Sequence, residues 1–189
     1  MNNIVKTVNH NDLTINIVYD EHSESPRVWD NLGTIVGYGG RYRFVDVENP
    51  ESGGHGSYYA DFLAYLRNES LSIKDVIYLP VYAYIHSGIC LSTTTFSCRW
   101  DSDQVGYIYV PKSGVRQEFS TKRVSQKLSN KIENILTSEI KTFSQYLEGE
   151  VYGFEISDSN GDLLDSCYGF YSIEDAISHA KECLPVAAA

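Results

Sequence analysis

The stretch VIYLPVYAYIHSGICLSTTTFSCRWDSDQVGYIYV, residues 76–110, decides the fold of this chain. In its first part, aliphatic side chains alternate with tyrosines and a few other residues. The aliphatic positions are Ile77, Leu79, Val81, Ala83 and Ile85. A period of two over this length is typical of a β-strand with one aliphatic face and one tyrosine-rich face. Further strands are predicted over 89–98 and 105–110, and three neighbouring strands most simply form an antiparallel meander.

Helices and a hairpin complete an α+β fold around this central sheet. Apolar residues at helical spacing predict a helix over 58–68 and a long amphipathic helix over 124–147. We expect the long helix to pack on the aliphatic face of the sheet, because both surfaces must be buried. Asn160-Gly161 lies between two alternating segments and predicts a C-terminal β-hairpin, which a helix over 173–183 follows.

The N-terminal part and one later connection are less regular. Alternation over 13–18 predicts a short strand. A hairpin around Gly39-Gly40 is predicted over 34–45. The basic segment 111–121 is interpreted as an irregular connection.

The length of the chain favours a single domain over 1–189. A chain of 189 residues buries roughly two-thirds of its unfolded surface, which is enough for one core. We expect N-terminal strands and loops over 1–56, a central sheet and helices over 57–148, and a C-terminal hairpin and helix over 149–189.

The net charge of −10 opposes binding to a nucleic-acid backbone, because such binding depends on Lys and Arg. A negative protein suits a basic protein partner, or the charge simply keeps it in solution. No signal peptide opens the chain and no apolar run reaches about 18 residues. We therefore expect no membrane partner and a cytoplasmic location with reduced thiols. The four cysteines lack the spacing of a zinc site, and we predict no cofactor and no metal.

One group of side chains has the types required for a catalytic triad. Cys98, His86 and Asp101 could act as nucleophile, base and orienting carboxylate. If 89–98 is a full strand beside the first one, however, His86 and Cys98 lie at ends roughly 30 Å apart. We therefore assign no catalytic residue.

The polar segment 97–104 between two predicted strands has two interpretations. As a functional loop, it offers carboxylates for a cation and Trp100 as an interface anchor. As a structural turn, the segment is held by hydrogen bonds between its Asp and Ser side chains and its own backbone.

The tyrosine-rich face also has two interpretations. Tyr78, Tyr82 and Tyr84 could lie beside Tyr107 and Tyr109 and stack on the bases of single-stranded nucleic acid. That mode needs basic residues alongside, and this segment has few. In the other interpretation, a second layer of structure covers the tyrosines.

Several motifs resemble a family of small accessory proteins encoded by bacteriophages and prophages. The motifs are SPRVWDNLG (25–33), RY (41–42), HSG (86–88), SCRWDSDQVG (97–106), YG (152–153) and DSCYGFY (165–171). The resemblance covers most of the chain between the first and last of them. It implies an accessory protein that acts in the cytoplasm of an infected bacterium, where small acidic phage proteins include inhibitors of restriction and CRISPR systems.

We therefore expect a non-enzymatic inhibitor of a host defence system, of the anti-CRISPR or anti-restriction type, that binds a basic host protein or a defence nuclease complex. The alternative is a small-ligand-binding protein or hydrolase-type enzyme with a polar pocket around Trp29, Arg41, Trp100 and Asp101. A minor virion or assembly component is a third hypothesis. The candidate binding residues are Trp29, Asp30, Asn31, Arg41, Ser97, Cys98, Trp100, Asp101 and Gln104.

Overall fold

The computed structural model describes residues 3–37, 44–50, 56–86, 88–98 and 100–184. The expected α+β class is confirmed. The strands are β1 (Ile4–His10), β2 (Leu13–Tyr19), β3 (Thr34–Gly37), β4 (Val47–Glu48), β5 (Val76–Ile85), β6 (Ile89–Ser92), β7 (Ser102–Pro111), β8 (Tyr152–Ser157) and β9 (Leu163–Phe170). The helices are α1 (Tyr58–Asn68), α2 (Lys112–Glu118), α3 (Gln126–Glu148) and α4 (Ile173–Glu182).

The chain forms two compact units, each with its own sheet. The terminal unit combines Met1–Ser25 with Gln145–Ala189, and the central unit is the continuous segment Pro26–Ser144. The single-domain organisation over 1–189, with its parts 1–56, 57–148 and 149–189, stays a prediction.

The terminal unit is an antiparallel sheet in the order β1-β2-β8-β9, with α4 against one face. The predicted C-terminal hairpin and helix are present, and Ser172 caps α4 by accepting a hydrogen bond from the Asp175 N–H. Strand β1 is a strand that the sequence did not predict, because polar residues dominate it. The core consists of Ile15, Ile17, Tyr152, Phe154, Ile156, Ala176 and Ala180.

The central unit holds a five-stranded sheet in the order β4-β3-β7-β5-β6. The predicted antiparallel strands are present, but β7 pairs with β5 and not with β6, so the order differs from a simple meander. The strand predicted over 89–98 is also too long, because β6 ends at Ser92. The mostly buried ten-residue β7 finds a partner of matching length only in β5, with pairs from Val76↔Pro111 to Tyr84↔Ser102.

Helix α3 packs on the aliphatic face of this sheet, as predicted. Ile108 lies opposite Leu79 and therefore shares its face. A Cβ atom added at Gly33 would lie 2.5 Å from Leu136 of α3 and 2.7 Å from Ile108, so the helix and that face meet at this point. At the far end of the helix, the Ser144 hydroxyl accepts a hydrogen bond from the backbone N–H of β6 at 2.8 Å.

Helix α1 covers the opposite face, where the tyrosines lie. Phe62 stacks on Tyr107 with ring centroids 4.4 Å apart. The hydroxyls of Tyr65 and Tyr109 are 3.2 Å apart in the interior. A second layer therefore covers Tyr107 and Tyr109, and the buried cluster extends to Tyr78 at its edge.

Two connections differ from the sequence-based expectation. The segment interpreted as irregular contains α2, which follows Pro111 as its N-cap residue and in which Val115 is fully buried. The helical period of α2 is not visible in the sequence, because the segment contains Gly114 and few apolar residues. The hairpin predicted around Gly39-Gly40 lies largely outside the described residues, and β3 pairs with β7 and β4.

Two glycines face each other where β3 meets β7. Gly106 pairs with Gly37, and a Cβ atom added at Gly106 would lie 2.3 Å from the Val36 carbonyl oxygen. Because backbone atoms cannot move aside as a side chain can, we expect Gly106→Ala to lower the free energy of unfolding by about 1–3 kcal/mol in urea denaturation.

Gly114→Ala in α2 is the matched control, because the nearest atom to its added Cβ is 3.9 Å away. This control should leave stability unchanged or raise it, since alanine favours helix. Equal stability of the two variants would contradict the close approach of β3 and β7.

Candidate functional site

A network of ion pairs holds the loop before β3, which carries three of the candidate binding residues. Arg27 is nearly buried and pairs with Asp46 at 2.6 Å and with Glu139 of α3 at 3.2 Å. Glu139 also accepts the Leu32 backbone N–H at 2.8 Å. Burial lowers the pKa of Arg27, but the hydrogen bonds and charges of Asp46 and Glu139 outweigh it and raise the pKa. The motif SPRVWDNLG is thus built around a cation with fixed partners.

Because its polar anchors point inward, this loop presents apolar side chains to solvent. The Asn31 amide donates to the Pro26 carbonyl at 2.8 Å. Val28 is 71% exposed and Trp29 is 51% exposed. Trp29 and Asn31 line a depression of about 360 Å³ beside α3, whereas Asp30 and Asn31 line another of about 470 Å³ beside α2. The loop therefore has the form of a contact surface.

The segment between β6 and β7 brings Cys98, His86 and Asp101 together. The Cys98 thiol donates to the Asp101 carboxylate at 3.4 Å, and His86 Nδ1 lies 3.7 Å from the same oxygen. The large separation expected from the sequence is wrong, because the chain leaves the sheet at Ser92. Pairing of β5 with β7 then places His86 beside Asp101, and the Ile85 N–H donates to the Asp101 carbonyl at 2.8 Å.

This arrangement differs from that of a nucleophile and its base. In such a pair the base accepts the proton of the thiol, whereas here the thiol of Cys98 donates to a carboxylate. His86 is largely open to solvent. The cluster therefore does not favour catalysis, and the assignment of no catalytic residue stays a prediction.

The remaining candidates of this segment combine turn bonds with exposure. Ser102 donates its hydroxyl to the Cys98 carbonyl, which supports the interpretation as a structural turn. The Gln104 amide donates to the backbone of β7, and Ser97 is exposed. Trp100 is 96% exposed and lines, with Asp101, a depression of about 530 Å³. An interface role for this indole stays a prediction.

The candidate residues fall into two groups at opposite ends of β7. Trp29 lies before β3, which pairs Thr34 with Tyr109 near the end of β7, whereas Trp100 and Asp101 lie just before its start. Strands of this length span roughly 30 Å. The described residues therefore form no single pocket around Trp29, Trp100 and Asp101. Arg41, the fourth member of that pocket, lies outside the described residues.

The negative charge of the chain belongs to one unit. The terminal unit has thirteen Asp and Glu against two Lys, which gives it a net charge of −11. The central unit has twelve Asp and Glu against thirteen Lys and Arg, a net charge of +1, and together these account for −10. The overall value therefore describes neither unit.

The terminal unit carries an acidic depression of about 630 Å³, and the aromatic side chain of Tyr168 lines it. Glu155 lies between Phe154 and Ile156, whose side chains pack with α4. Because neighbouring side chains of a strand point to opposite faces, Glu155 lies on the other side of the sheet. Beside it, Tyr168 donates its hydroxyl to Glu155 at 2.7 Å. The full lining is Asn3, Ile4, Val18, Tyr19, Asp20, Glu21, His22, Glu155 and Tyr168.

Electrostatics in this depression disfavour any further negative charge. The hydrogen bond to Glu155, together with burial and the charges of Glu155 and Asp20, raises the pKa of Tyr168 to about 12. The phenol therefore stays neutral over the physiological pH range. A positively charged group is the ligand that this combination of carboxylates and the neutral Tyr168 phenol suits best.

Sequence reasoning missed this depression because both parts of the terminal unit build it. Asp20 and Glu21 follow β2, whereas Glu155 and Tyr168 belong to β8 and β9. The excess of acidic residues at both ends of the chain was a visible signal. Only the pairing of β2 with β8 shows that acidic residues from both segments lie close together.

Comparison of the chain with protein-family models, with curated proteins and with solved structures finds no match. Across the ranges that the structure describes, every helix is too short or too polar to cross a bilayer. Over the same ranges, no three or more His, Cys, Asp and Glu side chains converge on a point where a metal ion could bind.

Proposed function

We propose that this chain is a non-enzymatic binding protein whose terminal unit docks on a basic surface of a partner protein. The observation that carries the proposal is the charge of −11 on that unit, with an acidic, aromatic depression on its sheet. Association between opposite charges of this size is accelerated and oriented by the field of the whole protein.

An arginine side chain of the partner fits the depression best. Its planar guanidinium donates to carboxylates such as Glu21 and Glu155 in a fixed geometry and stacks on phenol rings. Tyr168 supplies such a ring beside Glu155, and it is partly exposed. Lysine would gain the charge interaction but lose the stacking and the paired hydrogen bonds.

We further propose a class of partner for the terminal unit. The resemblance to phage accessory proteins supports an inhibitor of a host defence system, of the anti-CRISPR or anti-restriction type, that acts in the cytoplasm of the infected cell. Defence nucleases hold nucleic acid on surfaces rich in Lys and Arg. A dense array of carboxylates occupies such a surface in place of phosphates.

Docking of the terminal unit on a basic surface is tested with a fluorescent oligo-arginine peptide and the intact protein. We expect salt-sensitive binding, and Glu21→Gln/Glu155→Gln should weaken it about tenfold, which is about 1.4 kcal/mol. Glu69→Gln/Glu118→Gln removes the same charge from exposed positions of the central unit and should have little effect. Equal weakening by both double variants, or no binding, would overturn the proposal.

Inhibition of a host defence system is tested by DNA cleavage with purified restriction and CRISPR nucleases. Near-equimolar protein should block cleavage, and Glu21→Gln/Glu155→Gln should restore it. If the peptide binds but no nuclease is inhibited, the basic partner lies outside these defence systems. This result would support docking on a basic surface and contradict inhibition of a defence nuclease.

A further inference from the structure

Two cysteines of the terminal unit lie on the same side of its sheet. Cys167 of β9 is directly opposite Phe154 of β8, and opposed residues of an antiparallel pair point to the same face. Phe154 is fully buried against Ala176 and Ala180 of α4. Cys167 therefore lies on the face that α4 covers, at the exposed edge of the sheet.

Cys183 lies on the matching side of α4. It follows Ala176 by seven positions and Ala180 by three, and these spacings place residues on one helical face. Both alanines are fully buried against the sheet. Cys183 therefore continues the packed face of the helix at its C-terminal end, where it remains exposed.

The direction of the helix brings the two thiols toward each other. Only two residues separate β9 from α4, so the helix must run back along the strand that precedes it. The Phe170 ring lies 5.5 Å from His179, one turn before Cys183. Continuing that turn leads back along β9 toward Cys167. In agreement, partial desolvation raises the pKa of Cys183, and nearby Asp165 and Cys167 raise it further.

We propose that Cys167 and Cys183 form a reversible intramolecular disulfide that fastens the C-terminal end of α4 to the edge strand β9. With a small disulfide such as oxidised glutathione as the oxidant, one protein thiolate attacks its sulfur and releases one glutathione thiol. The second protein thiolate attacks the resulting mixed disulfide and releases the other glutathione thiol. The two cysteines together lose two protons and two electrons, which reduce the oxidant to two thiols.

The bond would constrain a segment with few other restraints. Nearly all of β9 is exposed, and it pairs on one side only. Closing the loop between Cys167 and Cys183 restricts the unfolded chain and so stabilises the folded one. Oxidation should therefore raise the melting temperature of the terminal unit, and reduction should reverse the change.

The experiment oxidises the full chain with glutathione disulfide at a mildly alkaline pH and measures intact mass and a non-reducing peptide map. We expect a loss of about 2 Da, one peptide pair joined through Cys167 and Cys183, and a raised melting temperature that dithiothreitol reverses. The Cys90→Ser/Cys98→Ser variant, which alters only the central unit, should form the same internal bond. Cys167→Ser and Cys183→Ser should each abolish the internal bond.

Three outcomes would overturn the inference. They are glutathione adducts on the separate cysteines without an internal bond, an internal bond from Cys167 or Cys183 to Cys90 or Cys98, and dimers joined through Cys167 or Cys183. Each would show that Cys167 and Cys183 do not bond to each other in the folded chain.

Discussion

Replacing Arg27 by methionine should lower the free energy of unfolding by about 3 kcal/mol. The side chain is nearly buried and neutralises both Asp46 and Glu139. Methionine keeps much of the apolar stem but leaves both carboxylates without the cation that pairs with them. Removing one partner of a buried ion pair costs more than the pair contributes, because the remaining charges stay desolvated.

Urea denaturation measures this effect, and Arg67→Met in the exposed last turn of α1 is the matched control. That control should change stability by less than about 0.5 kcal/mol. The triple variant Arg27→Met/Asp46→Asn/Glu139→Gln should recover part of the loss, since it removes the uncompensated charges. Similar stability of Arg27→Met and Arg67→Met would show that the network does not hold the loop.

Raising the pH from about 9 to about 11 should lower the free energy of unfolding by at least about 1 kcal/mol. Burial raises the pKa of Tyr65, Tyr107 and Tyr152 above the ordinary value of about 10. For Tyr65 the hydrogen bond with Tyr109 adds to this effect.

The sign follows from which state releases protons first. Below pH about 10 these phenols are neutral in both states, and the stability they contribute is complete. Above it the unfolded chain loses protons that the folded chain retains, so unfolding becomes more favourable, by roughly 1 kcal/mol at pH 11 for Tyr65, whose pKa is raised most.

Urea denaturation at several pH values, followed by the absorbance of tyrosinate, tests this expectation. Tyr65→Phe should make the decline with pH shallower, because one of the contributing groups is gone. A free energy of unfolding that stays constant over this pH range would contradict the burial of these phenols.

Local rules predicted the elements better than their arrangement. Helices α1 and α4 begin where Ser57 and Ser172 act as caps, and the spacing of apolar residues predicted their extent. The position of β7 beside β5 could not be predicted in the same way, because adjacency along the chain favours β6. Strand length and burial decide that choice, and they become visible only in the folded sheet.

The candidate residues show the same division. Polar motifs pointed to Trp29 and Trp100, which are indeed exposed, but periodicity could not place them at opposite ends of one strand. The incorrect strand over 89–98 also separated His86 from Cys98. Finally, the net charge of the whole chain concealed that one unit carries all of the excess.

The pairing of β2 with β8 joins two segments that the whole central unit separates in the sequence, from Thr14↔Ser157 to Tyr19↔Tyr152. During synthesis, β2 leaves the ribosome long before its partner exists, whereas the contiguous central unit can fold without waiting. Closing so large a loop is slow. We therefore expect the acidic sheet to form after the central unit, because a chain without β8 and β9 lacks the Glu155 and Tyr168 side of the charged depression.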